Sequence, residues 1–66
     1  MKRIKMIAMN APRASFAKPY VKMDEDGCIT VRVGSPADGT RMVEALRSNG
    51  YDCNLASLDW TLVCVR

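Results

Sequence analysis

A two-layer α+β fold is what this sequence predicts: one mostly antiparallel sheet of four to five strands with one helix packed on one face, in the order βββαββ. Three observations point there. Cys28-Ile29-Thr30-Val31-Arg32-Val33 alternates strictly and is rich in β-branched residues, as a half-buried strand should be. Ser35-Pro36-Ala37-Asp38, directly after it, carries the start signals of a helix. Short alternating runs near both ends of the chain have strand length. At 66 residues, the chain is a single domain, 1–66, and only marginally stable by itself.

The elements follow in order. Lys2 to Met9 is the first expected strand, with Ile4, Met6 and Ala8 on one face. Asn10-Ala11-Pro12-Arg13 interrupts it. Phe16 to Met23 is the second, with Phe16, Lys18, Tyr20 and Lys22 on one side and Ala17, Val21 and Met23 on the other. Pro19 has no N–H to give a ladder, which places this strand at a sheet edge. Asp24-Glu25-Asp26-Gly27 is a turn whose glycine supplies a positive φ. In the third strand Ile29, Val31 and Val33 face the core.

The helix comes next. Ser35 is the N-cap, Pro36 takes the first helical position, and Asp38 lies near the positive helix end. Met42, Val43, Ala45 and Leu46 form its apolar stripe. Gly50 ends it in the left-handed conformation, with Tyr51 folding back on Leu46. Gly39 in the first turn costs about 1 kcal/mol relative to Ala. The tail divides into strands Cys53–Leu58 and Thr61–Val65, with Asp59-Trp60 as their turn, in preference to a single longer strand. One helix cannot cover a five-stranded sheet, so the sheet curls or its open face meets something else.

Charge is distributed unevenly. The net charge of +3 combines a basic start with an acidic remainder. Residues 1–22 hold Lys2, Arg3, Lys5, Arg13, Lys18 and Lys22 and no acid, while the rest carries four arginines against seven acids. Such asymmetry points to a charged partner. The basic start is not a secretory signal, because Met6-Ile7-Ala8-Met9 is too short an apolar core. Pro12 and Pro19 interrupt a transit-peptide helix, and removing the segment would leave too little to fold. No run approaches the roughly 18 apolar residues of a membrane span. The segment is therefore read as part of the fold.

Little chemistry is available. There is no His, and Cys28, Cys53 and Cys64 are an odd number without a C-x-x-C pair. A zinc site lacks ligands, and the thiols are expected to be free and buried or half-buried in a reducing compartment, the cytoplasm. No cysteine has an activating base, and Ser15 and Ser57 have no partner. Gly34-Ser35-Pro36-Ala37-Asp38-Gly39 follows a strand but lacks the spacing of a phosphate loop. The adjacent acids Asp24, Glu25 and Asp26 read as a solvated loop tip rather than a metal cluster. Neither catalysis nor a cofactor is expected.

What remains is binding. Lys2, Arg3, Lys5, Lys18, Tyr20 and Lys22 are the candidate partner-binding residues, brought together if the first two strands share a sheet. The expected function is a small non-enzymatic binding protein that occupies a surface on another macromolecule. Size alone suggests an accessory protein or inhibitor of bacteria, phage or other mobile elements. A protein partner is preferred. The alternative is nucleic acid held on the basic, aromatic face, since aromatic and basic residues interleaved on a sheet can hold single strands; the bland account of the same residues is aromatics in the core with lysines at its rim. Thr61-Leu62-Val63-Cys64-Val65, apolar on both faces and close to the C-terminus, favours a homodimer, in which these strands pair or the open sheet faces meet, slightly over a monomer in which the first strand covers it.

Overall fold

The computed structural model describes residues 2–14 and 17–66. Six elements follow one another: α1 (Lys2–Asn10), β1 (Tyr20–Met23), β2 (Ile29–Arg32), α2 (Pro36–Ser48), β3 (Cys53–Ala56) and β4 (Asp59–Val65). The strands make one antiparallel sheet in the order β1-β2-β4-β3. The α+β class and the antiparallel sheet are as the sequence predicts. The first element is not: residues 2–10 are a helix, so the order is αββαββ and the sheet has four strands.

The reason lies in which period the apolar residues obey. Ile4, Ile7, Ala8 and Ala11 recur at i, i+3, i+4 and i+7, the spacing of one helix face. Ile4 and Ala8 are buried, and Ile7 and Ala11 pack against the core beside them. Met6, which an alternating strand would bury with Ile4, is 57% exposed. Lys, Arg, Met and Ala are also good helix formers. A nine-residue helix is marginal in isolation, so its packing on α2 and the sheet decides the outcome.

The expected helix forms as read. The Ser35 hydroxyl accepts the Asp38 N–H at 3.3 Å, and Pro36 opens the first turn. At the other end Gly50 has φ +89°, and the N–H groups of Gly50 and Tyr51 bond back to the carbonyls of Arg47 and Leu46. That is the Schellman arrangement. The Asp38 carboxylate is buried, accepting the Ala14 N–H at 2.8 Å and pairing with Arg41 at 3.3 Å. It ties the segment after α1 to the start of α2.

β2 and β3 each run antiparallel to β4, which lies between them. They are therefore parallel, and α2 makes the crossover of a split β-α-β unit. The core sits between this sheet and the helices: Val31, Val33, Val63, Val65 and Cys53 from strands and their ends, Met42, Val43 and Leu46 from α2, Ile4 and Ala8 from α1. Both helices cover the same face. The other face carries Tyr20, Arg32 and Leu62 in one row and Lys22, Thr30, Cys64 and Asn54 in the next, with no element over them among the described residues.

Three further expectations are corrected. The last turn is Ser57-Leu58, not Asp59-Trp60. Asp59 belongs to β4, where its carboxylate accepts the Thr61 N–H at 3.0 Å and pairs with Arg32 at 3.1 Å. The terminal strand β4 is not an edge either; it is paired on both sides, which removes it as a self-pairing edge and leaves nothing for an N-terminal strand to cover. Finally, Phe16 to Met23 is a strand only from Tyr20, and Phe16 and Ser15 lie outside the described residues. Pro19 does precede an edge strand, as its missing N–H requires.

Candidate functional site

The structure divides the six candidate residues into two groups of three. Lys2, Arg3 and Lys5 lie on α1; Lys18, Tyr20 and Lys22 lie on β1 and the segment leading into it. The two-strand pairing expected to bring them together does not exist, because α1 is not a strand. All six are exposed.

On α1 the spacing creates a surface that alternation concealed. Lys2, Lys5, Met6 and Met9 follow one another at i, i+3, i+4 and i+7, opposite the buried stripe, and all are exposed. The helix contains no acid. Its cations crowd the N-terminal turn, where the helix dipole favours acids, so their placement works against helix stability. Arg3 leaves this stripe on one side, its guanidinium 6.0 Å from the centre of the Tyr51 ring. There it joins Met6, Ile7, Ala11, Ala45 and Asn49 around a groove between α1 and α2. On the opposite side Lys5 and Met9 meet Pro19, Tyr20 and Val21 around a second pocket at the β1 edge.

The open sheet face is a different environment. Tyr20 is 65% exposed there, next to Arg32 across the ladder. Both nearby cations have acidic neighbours: Arg32 pairs with Asp59, and Lys22 lies 4.0 Å from Asp24. Hydrogen bonds from the Thr61 hydroxyl and backbone, then from Arg32, hold the Asp59 carboxyl below the usual carboxylate range.

The cysteines are free and differ from one another. Cys53 is buried, its thiol donating to the Val43 carbonyl at 3.5 Å, and burial raises its pKa despite the pull of Arg47. Cys28 and Cys64 are exposed, contrary to the expected burial. Among the described residues no three His, Cys, Asp or Glu side chains are grouped to hold a metal ion, and no helix is long and apolar enough to cross a membrane. No protein-family model, curated protein or solved structure matches this chain.

Met6 and Met9 join the candidate residues only in the structure, where both are exposed beside Lys2 and Lys5. The signal was present as the lysine–methionine period of 2, 5, 6 and 9, visible once the segment is read at 3.6 residues per turn.

Proposed function

We propose that this chain is a small non-enzymatic binding protein that docks on an acidic, partly apolar surface of another protein through α1. One observation carries the reading: Met6 and Met9 are 57% and 47% exposed in a stripe with Lys2 and Lys5, on a helix without an acid. Methionine is adaptable at contact surfaces, and the unopposed lysines supply steering and register. A local rule broken at the helix N-terminus fits a surface kept for binding rather than for stability. This is the work of an accessory protein or inhibitor acting inside the cell.

The second reading is single-stranded nucleic acid on the open sheet face, which exposed Tyr20 beside Lys22 and Arg32 favours. The acids next to both cations weigh against it, because phosphates would have to compete with them.

Capture from a nuclease-treated lysate of its native cells separates the two. The protein reading expects a partner that survives nuclease and is lost when Lys2, Arg3 and Lys5 are changed to Glu. Retained material that disappears with nuclease, with affinity falling steeply as salt rises, would replace it with the nucleic-acid reading.

A further inference from the structure

We propose that the outer edge of β1 pairs with the same edge of a second copy of this chain, antiparallel about a two-fold axis at Val21. β1 is an edge strand, bonded among the described residues only to β2. The Asp24 N–H bonds the Cys28 carbonyl at 2.8 Å, which fixes the alternation of the ladder. Tyr20 and Lys22 then bond inward to Arg32 and Thr30, and the N–H and C=O groups of Val21 and Met23 turn outward. No backbone bond to another element takes them up among the described residues.

A second copy fits this edge better than an unrelated strand because the edge is complementary to itself. With Val21 opposite Val21, the two valines exchange both backbone bonds. Each Met23 N–H then meets a Pro19 carbonyl, and the missing N–H of Pro19 leaves only the Met23 carbonyl without a partner. On the open-face side Lys18 stands opposite Asp24 at both ends of the ladder, and Tyr20 stands opposite Lys22. A register centred on Lys22 would set like charges directly across from each other, which is unfavourable. On the helix side Met23, 50% exposed, comes opposite Pro19. It arrives at the pocket that Pro19 and Val21 form with Lys5 and Met9 of α1.

The inference does not depend on the docking role of α1, though it reaches Lys5 and Met9 at one border of that stripe: pairing at β1 sets both α1 helices on one side of a continuous eight-stranded sheet. Two docking helices on one assembly would engage a repeated or dimeric partner with avidity.

Sedimentation equilibrium of the reduced protein at low salt tests it, from about 1 μM to about 1 mM, across the range of a weak edge contact. The wild type should dimerise. Lys18→Asp and Asp24→Lys should each weaken the dimer about tenfold, since each replaces two attractions with two repulsions. An equimolar mixture of the two variants should restore wild-type association, because the heterodimer regains both opposite-charge pairs. Amide exchange at Val21 and Met23 should slow as wild-type concentration rises. A 7.3 kDa species throughout would overturn the proposal. So would a dimer indifferent to both charge changes, with Val21 and Met23 exchange independent of concentration.

Discussion

The backbone carbonyl of Trp60 occupies the place where a β-carbon on Gly39 would stand. The Leu55 Cδ2 lies 2.9 Å from the same point. Gly39 is in the first turn of α2, where helix propensity favours Ala by about 1 kcal/mol. The missing side chain is what lets α2 rest this closely on the β3–β4 hairpin. Gly39→Ala should therefore lower stability by about 1–3 kcal/mol, the cost of overpacking outweighing the gain in propensity. A urea midpoint that rises in this variant would contradict the contact.

Ile4 and Met6 test the nature of α1. A strand would bury both; the helix buries Ile4 and exposes Met6. Ile4→Ala should cost about 2–4 kcal/mol, a large share of what so small a domain has. Met6→Ala should change stability by no more than about 0.5 kcal/mol. Equal losses in the two urea midpoints would return the segment to a strand.

Thiol reactivity should follow burial. A disulfide reagent at neutral pH should modify Cys28 and Cys64 rapidly and Cys53 only through unfolding. Burial also raises the Cys53 pKa above its unfolded value. Its contribution to stability is therefore complete below the unfolded pKa and lost as pH rises through the folded one. Three thiols reacting at one rate in the native protein would mean that β3 does not pack as described.

Asp59 has the opposite sign. Its pKa is lowered by Thr61 and Arg32, so its contribution is complete above about pH 4, the unfolded value, and is lost as pH falls through the lower folded value. The carboxylate is solvent-accessible, so the effect is small. The stability difference between wild type and Asp59→Asn should shrink between about pH 5 and pH 2. A difference that grows on acidification would mean that the Thr61 and Arg32 bonds do not form.

Sequence reading succeeded where several local signals agreed. Ser35, Pro36, Gly50 and the β-branched Ile29, Thr30 and Val31 of β2 each speak for one conformation, and α2 with its neighbouring strand formed as read. It failed where two periods fit the same residues. Ile4, Met6 and Ala8 alternate, while Ile4, Ile7 and Ala8 are helical; with so short a segment, only the packing against α2 decides. The end of β3 was misplaced because Asp59-Trp60 has turn-like composition, whereas Thr61 and Arg32 hold Asp59 inside a strand. The candidate cations were found by charge counting, but their division between α1 and the β1 edge depends on tertiary structure and has no local signal.

Methyl-labelled methionine offers the most direct measurement of the docking surface. The spectrum would be recorded with and without the protein partner captured from nuclease-treated lysate. Met6 and Met9 report the exposed stripe of α1, and Met42 reports the buried core. Docking through α1 should shift or broaden the Met6 and Met9 methyl signals on binding while Met42 stays in place. Unmoved Met6 and Met9 signals, with changes instead at the backbone amides of Thr30, Arg32 and Cys64, would place the partner on the open sheet face and contradict it.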